Sequence, residues 1–196
     1  MNFKQYVNVV VSLLALSAFM VTSANSATAR VLQWKTIIGI KESGDVVGKG
    51  TGAITGGAPW ETLGGSANVD LKNGNVNFDV DGLILAVGAV FESGGTDFSP
   101  PLASGLPIGT PAGVTKVRGT LVCNVTGDQG PNSVSINTPV VNLDAQGNAH
   151  FSGSFPTSIP SVCRVNTAFD DAFLIEIGSG QFKGVWIAFG AVLTAK

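Results

Sequence analysis

Ser66-Ala67-Asn68-Val69-Asp70-Leu71-Lys72-Asn73-Gly74-Asn75-Val76-Asn77-Phe78-Asp79-Val80-Asp81 is the stretch that decides the fold class. Apolar and polar residues alternate through both of its halves. Ala67, Val69 and Leu71 stand against Asn68 and Asp70, and Val76, Phe78 and Val80 stand against Asn75, Asn77, Asp79 and Asp81. Successive side chains of a strand point to opposite faces, so this period of two predicts a pair of strands, each buried on one side. Asn73-Gly74 between them is the two-residue signature of a type I′ hairpin turn, which needs positive φ at both positions.

The same grammar runs outward in both directions. Val31 to Lys41 alternates loosely around Trp34, and Val46 to Ile54 is a strand punctuated by glycine. Leu83 to Glu92 is nearly all apolar and predicts a central strand. Further strands are expected over Val114 to Val125, over Ser133 to Leu143 with a break at Pro139, and over Val162 to Asn166. Asp144-Ala145-Gln146-Gly147 is a turn leading into Ala149 to Phe155, whose inward set is Ala149, Phe151, Gly153 and Phe155. Ala172 to Ile177 and Phe182 to Leu193 close the chain, and the last of these is apolar on both faces and should lie inside a sheet. No segment beyond the N-terminal region sustains a 3.6-residue period. The expected fold is all-β, an antiparallel β-sandwich of about nine to eleven short strands. A membrane-spanning barrel is the rival architecture, but it wants aromatic girdles, and the chain holds one tyrosine. Gly94 to Gly113, with Pro100, Pro101, Pro107 and Pro111, is expected as a long loop, either a crossover or a binding arm offering Phe98, Leu102 and Ile108.

The first 29 residues carry a different signal. Lys4 precedes an apolar run from Tyr6 to Val21, and Ala27-Thr28-Ala29 supplies the small-x-small pattern of a signal-peptidase site. That run is about 16 residues, roughly 24 Å of helix, short of the ~30 Å hydrocarbon core. A cleavable export signal over 1–29 and a single domain over 30–196 are therefore expected, the mature chain secreted or periplasmic and not inserted in a membrane. An even pair of cysteines in an exported chain predicts one disulfide, Cys123 to Cys163. Strand parity points both thiols inward.

Charge narrows the partners. Asp, Glu, Lys and Arg make up 12% of the chain, and loss of Lys4 takes the formal net charge from −2 to −3. Lys35, Lys41, Lys49, Lys72, Lys116, Arg118, Arg164 and Lys183 are scattered singly, with no basic stripe of the kind a phosphate backbone requires, so nucleic acid is not an expected partner. Gly48-Lys49-Gly50-Thr51-Gly52-Ala53 matches a dinucleotide fingerprint in spacing only, since no helix follows to hold a pyrophosphate. Asn77-x-Asp79-x-Asp81-Gly82 imitates the start of a calcium loop, yet its twelfth position is Gly88 where a bidentate Glu is needed. His150 is the only histidine and shares a polar face with Ser152 and Ser154, without an elbow motif for a nucleophilic serine. A zinc site would have to take both cysteines. Glu61, Glu92, Asp170, Asp171 and Glu176 are the carboxylates available to a glycosidase-like pair. Asn124-Val125-Thr126 is a glycosylation sequon.

Ser66 to Leu71 and Val76 to Leu83 resemble the strand pattern of chordin-type (CHRD) β-sandwich domains, without the histidine pair those domains often carry afterwards. Gly184-Val185-Trp186-Ile187-Ala188-Phe189-Gly190-Ala191-Val192 is similar to the ending of uncharacterised secreted bacterial β-sandwich proteins. The resemblance implies a β-sandwich and brings no catalytic residues. With one histidine, few charges and paired cysteines, the expected function is that of a non-enzymatic binding or structural protein of the cell envelope or extracellular matrix, without a cofactor or metal, its partner a glycan or a protein. A secreted carboxylate-dependent hydrolase and a small outer-membrane barrel are the alternatives. Trp60, beside Pro59 and Glu61, is the candidate aromatic for stacking on a partner, its other reading being a cap on the core.

Overall fold

The computed structural model describes residues 30–86, 109–165 and 170–195. Its strands are β1 (Val31–Gly39), β2 (Val46–Val47), β3 (Ile54–Thr55), β4 (Trp60–Glu61), β5 (Gly64–Asp70), β6 (Asn75–Asp81), β7 (Ile84–Leu85), β8 (Lys116–Cys123), β9 (Val134–Asn137), β10 (Val141–Asn142), β11 (Ala149–Ser154), β12 (Asp171–Ile177) and β13 (Trp186–Ala195), with one short helix, α1 (Ser161–Val165). The fold is all-β and antiparallel. Among the described residues it holds thirteen strands where nine to eleven were expected, the surplus coming from two-residue ladders, β2 with β3 and β4 with β7.

Nine strands form one sheet, in the order β10-β8-β12-β13-β1-β5-β6-β11, with β9 also paired to β8. The sheet curls until its two halves face each other, as a sandwich or half-barrel. Phe78 on β6 and Phe173 on β12 are separated by β13, β1 and β5 in the strand order, yet their ring centroids lie 5.8 Å apart. Trp34 meets Phe173 at 5.5 Å, and Phe151 meets Phe78 at 5.9 Å. Gly119 on β8 makes room for this fold-back: a Cβ there would sit 2.5 Å from Phe173 Cζ and 2.9 Å from Phe78 Cδ1. As expected from its apolar faces, β13 lies inside the sheet, between β12 and β1.

The outer face of β8, β12 and β13 is buried too. Thr120, Val122, Leu174, Glu176 and Trp186 are all inaccessible there. The β2–β3 excursion lies against this face. Trp186 Nε1 donates to the Ile54 carbonyl at 3.1 Å, and Gly57 N–H to the Trp186 carbonyl at 2.9 Å. Glu176 is neutralised where it lies, accepting from Arg118 Nε at 2.9 Å and Nη2 at 2.6 Å.

Cys123 and Cys163 are bonded and fully buried, with Cα atoms 5.1 Å apart across a sequence separation of 40. Closing a loop of that size stabilises the fold by roughly 4 kcal/mol from loop entropy. Cys163, however, lies on α1 and not on a strand. Three residues do not distinguish a period of two from one of 3.6, and Pro160 starts a helical turn whose carbonyl accepts the Cys163 N–H at 3.1 Å.

Two further expectations change. Only Ile84–Leu85 of the Leu83–Glu92 run is strand among the described residues, paired at the margin with β4 and not in the main sheet. The β5–β6 turn is not type I′, because Gly74 has φ +74° while Asn73 has no positive φ. Leu71 is buried in the core, so the loop spans four residues, with Gly74 N–H donating to the Asp70 carbonyl at 2.8 Å.

Candidate binding face

The polar half of the β5–β6 pattern emerges on the outer surface, and β11 extends it. Register places Ser66 beside Asp79 and Asp79 beside His150; Asn68 beside Asn77 and Asn77 beside Ser152; and Asn75 beside Ser154. Gln33 on β1 continues the second of these rows past Asn68. Across the β6–β11 seam the side chains bond in three consecutive rungs. His150 Nδ1 lies 2.6 Å from Asp79 Oδ1, Ser152 Oγ donates to Asn77 Oδ1 at 2.6 Å, and Ser154 Oγ donates to Asn75 Oδ1 at 2.8 Å. The rungs are exposed, the His150 and Asp79 side chains by 64% and 52%. Cross-strand pairs of this kind fix side-chain rotamers, so the row is an ordered set of donors and acceptors.

Two aspartates set the ends of the seam. Asp70 Oδ1 accepts from the Lys72 N–H at 2.8 Å and the Asn73 N–H at 3.2 Å, and Oδ2 accepts from Asn73 Nδ2 at 2.7 Å. Slight desolvation pushes its pKa up, but these hydrogen bonds and the Lys72 charge outweigh it and hold the carboxyl below its ordinary range. Asp144 does the same for the turn before β11. The Asn148 N–H leads in lowering its pKa, against slight desolvation, with the Asn148 side chain and the Gln146 and Gly147 N–H groups adding to it. Asp–x–x–x–Gly and Asp–x–x–Gly–Asn are thus two versions of one device, a carboxylate gathering the N–H groups of a tight turn.

Trp60 is not on this surface. It is 4% exposed in the core, its N–H donating to the Ile40 carbonyl, so it caps the core and offers no stacking platform. Phe98, Leu102 and Ile108 lie outside the described residues, as does most of the 94–113 loop. Its end is tied to β7 by hydrogen bonds from Gly109 N–H to the Leu85 carbonyl and from Leu85 N–H to the Thr110 carbonyl.

The carboxylates weighed for hydrolysis have other work. Asp171 and Arg30 pair at 2.8 Å, with the Asp171 side chain fully buried, and Glu176 is held by Arg118. Five residues apart on β12, Asp171 and Glu176 fall on opposite faces of the strand roughly 17 Å apart, beyond any glycosidase spacing. The Asp170 carboxylate accepts the Thr126 N–H at 2.5 Å, and the Asp170 backbone carbonyl accepts the Val125 N–H at 3.0 Å. Glu92 is outside the described residues, and Glu61 is exposed on β4 opposite Ile84.

The remaining motifs resolve in the same way. Asn77, Asp79 and Asp81 alternate along an extended strand and do not converge, and among the described residues no cluster of three metal-ligating side chains forms. In the glycine-rich Gly48–Gly52 stretch the Lys49 and Thr51 N–H groups donate to Ser133 Oγ and Asn132 Oδ1, so this backbone is committed to the protein itself. Asn124 of the sequon is fully buried in a left-handed conformation (φ +59°). Its Nδ2 donates to the Gly130 and Asn132 carbonyls at 3.0 Å each, leaving no room for a glycan in the folded chain.

No family model, curated protein or solved structure matches this chain. What it does must be argued from its own surface.

Proposed function

We propose that the protein is an exported, non-enzymatic binding or structural component of the cell envelope or extracellular matrix, presenting the outer face of β5, β6 and β11 to a polar partner. The observation that carries this reading is the row of three exposed, mutually bonded rungs. Their rotamers are set before any ligand arrives, which lowers the entropic cost of recognition. Asn, Asp, Ser and His side chains in such a row offer alternating donors and acceptors, the chemistry that engages sugar hydroxyls or a polar peptide. Export is supported by Ala27-Thr28-Ala29 and by the buried disulfide, which belongs in a non-reducing compartment. Arg30, the residue after the expected cleavage site, is anchored by Asp171 and by the Leu71 N–H on its carbonyl.

The test is a glycan-array and matrix-retention screen on protein recovered outside the cytoplasm, run beside a panel of hydrolase substrates. Retention lost on Asn77→Ala and His150→Ala, with melting unchanged, supports the reading. Turnover abolished by Glu61→Gln or Asp171→Asn refutes it. A mass that does not begin at Arg30 refutes the processing site.

A further inference from the structure

The turn between β5 and β6 carries the chain's single Asn-Gly pair, Asn73-Gly74. An Asn-Gly link is chemically labile for a steric reason. The backbone nitrogen after an asparagine can attack the side-chain amide carbon, and glycine, with no Cβ, leaves that nitrogen unhindered. Every other asparagine of the chain precedes a residue with a side chain.

The fold holds both partners of that reaction. The nucleophile is the Gly74 nitrogen. Gly74 is buried, its N–H donates to the Asp70 carbonyl at 2.8 Å, and its own carbonyl accepts the Phe155 N–H at 3.0 Å. The electrophile is the side-chain amide carbon of Asn73. Asn73 is exposed, but its Nδ2 donates to Asp70 Oδ2 at 2.7 Å and its backbone N–H to Asp70 Oδ1 at 3.2 Å. Asp70 therefore grips the attacking nitrogen through its carbonyl and the leaving nitrogen through its carboxylate. Ring closure needs both to be released, with rotation of the chain between Asn73 and Gly74.

We propose that Asn73 is a site of covalent self-modification and that Asp70 is the lock that sets its rate. The Gly74 nitrogen gives up its proton and bonds to Asn73 Cγ, the Cγ–Nδ2 bond breaks, and ammonia leaves with that proton, closing a succinimide. Water then opens the ring at either carbonyl, giving aspartate or isoaspartate. Amide and water become acid and ammonia, and nothing is oxidised or reduced. Either product puts a carboxylate where the Nδ2 donor faced the Asp70 carboxylate, so like charges meet and the turn does not re-form as it was. Isoaspartate also routes the backbone through Cγ, lengthening the loop. The change falls at the end of the polar row, since the Gly74 carbonyl holds Phe155 directly after the Ser154–Asn75 rung. It does not depend on what that row binds.

The test incubates the oxidised protein at mildly alkaline pH and follows intact mass, peptide maps and enzymatic methyl labelling of isoaspartate over time. Modification should map to Asn73 and run about tenfold or more faster in the urea-unfolded chain than in the folded one. Asp70→Ala should raise the rate in folded protein by about 10- to 100-fold, the worth of charge-assisted hydrogen bonds that no longer have to break first. Asn73→Gln should abolish it. Asp144→Ala, which removes the equivalent carboxylate from the turn before β11, should leave the rate at Asn73 unchanged. Equal rates in folded and unfolded chains overturn the proposal, as does an Asp70→Ala rate equal to the parent's or a modification that maps to another asparagine. Should Asp70→Ala fail to fold, the parent decides in urea below its unfolding transition. A rate that rises there marks local opening of the turn, and one that rises only with global unfolding overturns Asp70 as the lock.

Discussion

Gly119→Ala is the sharpest probe of the curled sheet. The backbone at Gly119 does not need positive φ, so the substitution tests space alone. The added methyl would lie 2.5 Å from Phe173 Cζ, 2.9 Å from Phe78 Cδ1 and 3.0 Å from Phe78 Cε1, well inside van der Waals contact with two rings that are themselves fully buried. Overpacking of this kind costs about 1–3 kcal/mol, and with both rings locked by Trp34 and Phe151 the upper half, about 2–3 kcal/mol, is expected. At roughly 2–4 °C per kcal/mol for a chain of this size, the melting temperature should fall by about 5–10 °C. Phe78→Leu alone opens a cavity and should cost about 1–2 kcal/mol. The two together should cost less than their sum, by about 1 kcal/mol or more, because the shortened side chain vacates the position the methyl needs. The assay is a double-mutant cycle by urea denaturation, with thermal melts alongside. Strict additivity would refute the reasoning, since it would mean that Gly119 and Phe78 do not face each other and that the two halves of the sheet do not pack as described.

Cys123→Ser with Cys163→Ser should lower stability by roughly 4 kcal/mol and leave the strand spectrum native, read by melting with and without reductant; an unchanged melting temperature would count against the loop-entropy account. Asp70 and Asp144 have depressed folded-state pKa values, so the stability they contribute is present above the unfolded value near 3.9 and is lost as pH falls through the folded values below it. Protein carrying Asp70→Asn and Asp144→Asn should therefore show a shallower loss of stability between about pH 4 and pH 2 than the parent, measured by melting across that window. Asn124→Ala strips the Gly130 and Asn132 carbonyls of their donor and the Gln129 N–H of its acceptor, and leaves φ +59° to a residue without the polar side chain that tolerates it, for a cost of roughly 3 kcal/mol in chemical denaturation. Asn124→Gly, which tolerates that φ, should recover part of the loss.

Period two in Ser66 to Asp81 was enough to place β5 and β6 and to say which side of each is buried, because that pattern is local and survives any tertiary arrangement. The same is true of β13, where apolar residues on both faces leave only an interior position. The pattern failed where the local signal was too short or belonged to another cause. Cys163-Arg164-Val165 reads as three alternating residues, but Pro160 and the bond to Cys123 wind it into a helical turn. Leu83 to Leu85 is apolar because it packs beneath the Gly147 turn and against Trp60, and a central strand would have carried the same composition. Asn73-Gly74 has the composition of a two-residue turn, and the buried Leu71 overrides it.

The candidate face was half legible for the same reason. Asn75, Asn77, Asp79 and Asp81 are outward by parity, and so are His150, Ser152 and Ser154, but nothing in either segment says that the two strands are neighbours. They are separated in sequence by 71 residues at the Asp79–His150 rung, and the intervening chain builds β7 through β10. Only register turns two polar strand faces into a bonded row. The rungs then constrain the register in return: a slip by one residue would turn His150, Ser152 and Ser154 toward Val76, Phe78 and Val80 and carry Phe151 out to solvent. A core of Phe78, Phe151 and Phe173 forbids that slip more strongly than three exposed hydrogen bonds do. The inner face therefore holds the outer one in place, and substitutions in the polar row should leave the fold undisturbed.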